Sequence, residues 1–101
     1  MAIVNFDYRE ILRRAGAIED AAQELDQLCR HSLATITESL EAAWQGEAAA
    51  RFLHSCDACG EDLRAQSAAL QELADRIRRA AWAIEEAERQ AAQQVSTDQI
   101  R

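Results

Sequence analysis

Two long runs of seven-residue periodicity, interrupted once, leave this chain few folds to choose from. In the first run Ile11, Ala15, Ile18, Ala22, Leu25 and Cys29 recur at alternating steps of four and three, and the pattern resumes at Leu33, Ile36, Leu40 and Ala43. The second passes through Phe52, Cys56, Cys59, Leu63, Gln66, Leu70, Leu73, Ile77, Ala80, Ile84, Ala87 and Ala91 without a slip. Steps of four and three put side chains on one stripe of an α-helix, the seam along which a partner helix packs. Between the runs, Ala43-Trp44-Gln45-Gly46-Glu47 is the point where a turn residue coincides with the break. The spacing therefore predicts one all-α domain, an antiparallel helix-turn-helix hairpin. Helix 1 spans about 7–43, the turn 44–46 and helix 2 about 47–92, with a polar tail at 93–101.

Local signals agree with long helices. The 101 residues include no proline and only three glycines, and are rich in Ala, Leu, Glu, Arg and Gln, which lose little freedom in a helix. Asp7 with Glu10 three residues on reads as a capping box, with Asn5 as an alternative cap. The second four-residue step between Leu25 and Leu33 is a stutter, which relaxes a supercoil without ending the helix. Gly16 lies inside the first pattern as a site of close approach, and Gly60 falls beside the second seam as a weak point. After Gly46, Glu47 complements the positive end of the next helix. The apolar arm Met1–Phe6 has no period, and the tail is expected to fray.

A lone hairpin has a single seam, yet Ala21, Ala48, Ala50, Ala58, Ala65, Ala69, Ala74 and Ala81 widen the apolar stripe. So broad a stripe calls for more than one neighbour, and the hairpin is expected to dimerise into a four-helix bundle. The residues expected on the seam, whether of the hairpin or of the dimer, are Ile11, Ile18, Leu25, Leu33, Ile36, Leu40, Phe52, Leu63, Leu70, Leu73, Ile77 and Ile84.

Eighteen acids against eleven bases give a net charge of −7 spread along the chain. That balance argues against nucleic acid as a partner. The one basic run, Arg76, Arg78 and Arg79, is offset by Glu72 and Asp75 and reads as a solvated, ion-paired face. The charged residues of the first fourteen positions do not fit a Sec signal peptide, and no apolar run is long enough to span a membrane. No cofactor, metal or catalytic group is expected: Ser32, Ser39, Ser55 and Ser67 lack a His/Asp constellation, and two rods enclose no cleft. Cys56 and Cys59 share a helix face and fall on the seam, where cysteine behaves as a small hydrophobe. A Cys29–Cys59 disulfide across the hairpin and a zinc site recruiting His54 or His31 are the alternatives. Trp82 is unlike the rest. It falls away from the seam with Glu86 one turn on, and either packs against Ile3, Phe6 and Tyr8, packs across a dimer, or stays exposed for recognition.

A chain of this length with two long helices and Trp44-Gln45-Gly46 between them resembles the WXG100 (ESAT-6-like) family over essentially its whole length. Trp82-Ala83-Ile84-Glu85-Glu86 is similar to the family's C-terminal Y-x-x-x-D/E motif, with Trp in place of Tyr. The resemblance implies a non-enzymatic protein made in the cytoplasm and exported, folded, by a type VII (ESX-like) secretion system to the cell surface or beyond. It implies a homodimer, or a heterodimer with another WXG100-type protein, without direct membrane insertion. Trp44, Gly46, Trp82 and Glu86 then form the recognition motif, the turn of one subunit lying near the C-terminal motif of the other. The tail, through Val95 and Ile100, would contact the system's membrane ATPase. A cytosolic adaptor or chaperone for a client's helices is the competing expectation; it has no need of Trp82 or Glu86.

Overall fold

The computed structural model describes the backbone of residues 7–100 and the side chains of residues 7–96. It is an antiparallel helical hairpin with no strand among those residues. The first arm comprises α1 (Tyr8–Gln27), a π-helical turn (Leu28–Leu33) and α2 (Ala34–Ala43), and the second is one helix, α3 (Glu47–Ile100). The rod measures 83 × 17 × 16 Å, its length set by α3, whose 54 residues rise about 1.5 Å each. The expected tail is helical through Ile100; Ala91-Ala92-Gln93-Gln94 are good helix formers and no Gly or Pro intervenes to stop the helix. The arm Met1–Phe6, with Ile3 and Phe6, lies outside the described residues.

Asp7 caps α1, its carboxylate accepting the Glu10 N–H at 3.1 Å. The Glu10 side chain does not complete the capping box. It pairs instead with Arg13 and with Arg14, the latter at 2.9 Å.

The arms meet along a lane of small residues. Ala15, Ala22 and Cys29 on the first arm are buried, as are Gly60, Ser67, Ala74 and Ala81 on α3, and no large side chain is fully buried. The Ser67 hydroxyl donates to the Ala22 carbonyl at 2.7 Å, and the Cys29 thiol to the Gly60 carbonyl at 3.4 Å. These two contacts are seven residues apart on both arms, so the same step carries Ala15 opposite Ala74 and Tyr8 opposite Ala81. From about residue 83 onward α3 projects past the first described residues of α1.

Within the hairpin, this register uses only part of the expected seam on α3. Leu63, Leu70 and Ile77 border the first arm and are half-buried, as are Ile11, Ile18, Leu25, Leu33 and Leu40 opposite. The alternate positions are Leu53, Gly60, Ser67, Ala74 and Ala81, one residue beyond Phe52, Cys59, Gln66, Leu73 and Ala80. Phe52, Leu73, Ile84 and Ile36 are exposed. The small residues win the shared line because they let the helix axes approach, and large ones cannot follow them there. Gly60 is thus part of the seam: a Cβ there would lie 3.3 Å from Leu33 Cδ2 and 3.5 Å from Cys29 Sγ. Gly16 makes no close approach, with nothing within 4 Å of its hypothetical Cβ.

The π turn sits at the stutter. Burial falls on Leu25, Cys29, Leu33 and Thr37, three steps of four residues. Those twelve residues cover three turns for which an α-helix uses about 10.8, and a π turn takes up the surplus residue. Ile36 accordingly yields its place to Thr37, whose hydroxyl donates to the Leu33 carbonyl at 2.9 Å.

The hairpin has two unlike sides. On one, Glu19 of α1 and Arg78 of α3 form the ion pair between the arms. Arg78 also bonds Asp75 at 3.3 Å, and its guanidinium is held above its ordinary value chiefly by the Glu19 hydrogen bond. The expected offsets of Arg76 and Arg79 by Glu72 and Asp75 do not form among the described residues. The opposite side carries the half-buried large residues and, one step further round, exposed Leu28, Ile36, Phe52 and Leu73.

The two interior glycines should respond oppositely to substitution. Gly16→Ala is expected to stabilise the hairpin by about 0.5–1 kcal/mol, since it relieves backbone entropy without a clash. Gly60→Leu should cost about 1–3 kcal/mol by prying the arms apart. Thermal unfolding followed by circular dichroism reads both.

Candidate functional site

The W-x-G turn is built by three backbone states in succession. Trp44 leaves α2 in an extended conformation (φ −136°, ψ 127°), its N–H still donating to the Leu40 carbonyl at 2.8 Å. Gly46 has φ +112°, the only positive φ among the described residues. Its carbonyl then accepts the Ala50 N–H at 3.0 Å, the first bond of α3. Gly46 therefore starts the second helix. No side chain crowds the site, so what demands glycine is the backbone angle. Glu47, in the first turn of α3, reaches Arg51 at 2.9 Å.

The Trp44 indole packs on Phe52, two turns into α3, with ring centroids 5.8 Å apart and planes tilted by 51°. Trp44 remains 41 % exposed and Phe52 is exposed with it, so the pair forms an aromatic cap at the tip of the rod. Phe52 carried no mark of this role in the sequence, where its size and spacing placed it on the seam. An apolar residue two turns after a turn tryptophan was the available signal.

Trp82 and Glu86 lie far from this cap. Thirty-six residues of α3 separate Trp82 from Gly46, about 54 Å at helical rise. Among the described residues Trp82 is the most exposed of the large apolar side chains, at 60 %. It stands beside Arg78 and Arg79 on the outer face and points away from the Phe52–Leu73 side. Glu86 follows one turn on, half-buried and bonded to Arg89 at 3.3 Å. Within one hairpin, then, the two halves of the expected motif are at opposite regions of the rod. Val95 is exposed further along α3; the Ile100 side chain lies outside the described set.

The cysteines do not pair. All three are free: Cys29 is buried, Cys56 half-buried and Cys59 exposed. In this register Gly60 faces Cys29, and its neighbour Cys59 is exposed. An open groove of about 380 Å³ beside the π turn is lined by Cys29, Thr37, Glu41, Cys56, Asp57 and Arg64, among others. No group of side chains that could hold a metal occurs among the described residues. His31 and His54 are exposed.

An all-α hairpin of about one hundred residues turned at W-x-G defines a recognisable class. The chain belongs to the WXG100 family, proteins of 100 residues with W-x-G, whose model matches residues 3–89. The family's members are small, non-enzymatic helical proteins of type VII secretion systems. Neither a curated protein nor a solved structure matches the chain.

Two measurements test the site as built. Gly46→Ala should lower stability by about 1–2 kcal/mol, the cost of a left-handed backbone for an L-residue, in urea titrations. Thiol titration of denatured protein without reductant should find all three cysteines reactive; a lower count would overturn the assignment of free thiols.

Proposed function

We propose that this protein is a type VII secretion substrate or co-secreted partner, made in the cytoplasm and exported as a folded helical dimer. Trp82 and Glu86 act as the recognition element in this reading, and the Trp44–Phe52 cap as its companion. What carries the reading beyond family membership is the exposure of Trp82 on the outer face of α3, with a carboxylate one turn away. A tryptophan that contributed only to packing would sit with Leu73 and Phe52 on the apolar side. This one faces the opposite way and is 60 % exposed. A large exposed ring that no partner helix needs is an anchor for a receptor.

Tryptophan in place of tyrosine keeps the ring and drops the phenol hydroxyl, so the receptor contact relies on the aromatic face and on the Glu86 charge. The 54-residue α3 holds this element and Val95 on a stiff rod, a fit for a membrane ATPase that engages the C-terminal region. Dimerisation supplies the second element: in a head-to-tail pair the aromatic cap of one copy comes toward the Trp82 region of the other.

In a host carrying a type VII system, the wild-type protein should appear in the culture supernatant. Trp82→Ala and Glu86→Ala should each cut export at least tenfold while leaving helical circular dichroism unchanged, and Trp82→Tyr should retain it. A protein that stays in the cytosol, or exports equally well without Trp82 and Glu86, would refute the proposal in favour of a cytosolic adaptor.

A further inference from the structure

Independently of the export reading, we infer that the turn-proximal part of the first arm opens. In this motion α2 detaches from α3 as a local unit hinged at the π turn, while the lane between α1 and α3 stays closed. The lane stops at the Cys29–Gly60 contact. One seven-residue step further toward the turn would set Ile36 opposite Leu53, and neither is small. Ile36 is exposed there, Leu53 is only half-buried, and α2 contains no buried residue. Burial returns at Ala49, in the first turn of α3.

The hold on α2 is weak. Between it and α3 lies the open groove of about 380 Å³, so the two helices do not fill the space they enclose. The groove's walls are of like charge: Glu38 and Glu41 on α2 stand across from Asp57 and Glu61 on α3, with Arg64 as the one base among the lining residues. Like charges across so short a gap oppose closure. No hydrogen bond or ion pair joins α2 to α3 among the described residues. The bonds of Ser67 and Cys29 and the Glu19–Arg78 pair lie at or before the π turn, and Thr37 bonds Leu33 of its own arm. The ten residues of α2 are moreover too few for a helix to persist in water without packing.

The π turn is where the movement is absorbed. Its backbone bonding departs from the α pattern, with the Ala34 N–H donating to the His31 carbonyl instead of that of Arg30, and helices bend at such turns. Opening separates Trp44, at the end of α2, from Phe52 on α3, and uncovers the Cys29 thiol. The aromatic cap is therefore a two-state element: the indole lies on Phe52 when α2 is closed and is released when α2 opens. The W-x-G turn thus belongs to the movable part of the molecule. Trp82 belongs to the fixed part, since buried Ala74 and Ala81 hold α3 in the lane beside it. Segments that open well below the global unfolding free energy are the ones from which moving elements are drawn.

Native-state hydrogen exchange of the full chain tests this, followed by mass spectrometry at urea concentrations below the unfolding transition. Amides of α2 should exchange about a hundredfold or more faster than those of residues 15–27, at a rate that low urea leaves unchanged. Those of residues 15–27 should accelerate with the slope of global unfolding. In a Cys56→Ser, Cys59→Ser background, Cys29 should react with an aromatic disulfide at a rate equally indifferent to low urea. Neither rate should change when the protein is diluted. Thr37→Leu, which fills the groove from α2, should slow both about tenfold or more. Equal protection and equal urea dependence in α1 and α2 would overturn the inference, because the hairpin would then open only as a whole. Rates that rise on dilution would overturn it too, by assigning the opening to dissociation of an assembly, and so would a Thr37→Leu protein whose rates match wild type.

Discussion

The close approach of the two arms along Ala15, Ala22 and Cys29 against Gly60, Ser67, Ala74 and Ala81 is the contact on which the remaining architecture depends. Small residues in contact bring helix axes together, and two polar groups inside the lane, Ser67 and Cys29, are satisfied by backbone carbonyls of the opposite arm. The large residues are thereby forced to one flank. They end half-buried, touching the other arm with one edge and facing solvent with the other. A hairpin built this way stabilises its own register and leaves most of its hydrophobic surface unspent. The one cross-arm ion pair among the described residues, Arg78 with Glu19, stands on the opposite flank and adds little beyond register.

Much of this was legible in the sequence, for reasons that differ by element. The helices and the turn followed from periodicity, the absence of proline and the single coincidence of break and glycine. The stutter after Leu25 was visible as a surplus residue, and it appears in the structure as the π turn. What spacing could not resolve is which of two adjacent stripes the hairpin uses. Phe52, Cys59, Leu73 and Ala80 and their successors Leu53, Gly60, Ala74 and Ala81 share the same period, and size pointed to the first set. The choice depends on closeness of approach between arms, a property of pairs that no single helix displays. Gly60 was misread for this reason, as a weak point beside the seam when it is part of the seam. The expected Cys29–Cys59 pairing rested on the same spacing, whereas the register sets Gly60 opposite Cys29. At the candidate site, Trp44, Gly46 and Trp82 stood out by type and place, but the contact of Phe52 with Trp44 crosses the turn and has no periodic signature.

The molecule separates its tasks by side and by end. One flank is apolar and nearly uncharged, suited to a second hairpin. The outer face of α3 carries charge and one exposed tryptophan. The tip presents two aromatic rings held by a glycine whose angle leaves no other residue comfortable. Trp82 and the large seam residues occupy opposite faces of the same helix, so a contact made on one face leaves the other open. The rod's stiffness matters as much as its chemistry, since separations along it are set by helical rise and vary little.

The π turn has a further consequence for how the first arm tolerates change. Leu28–Leu33 holds one residue more than the α-helix around it needs. Removing one residue there would let the turn tighten to α geometry with α1 and α2 still facing α3 as they do now. A deletion anywhere else in the arm would rotate everything beyond it by about 100°. The first arm therefore carries a built-in slack of one residue, placed beside the buried contact of Cys29 with Gly60, where a phase error would be felt.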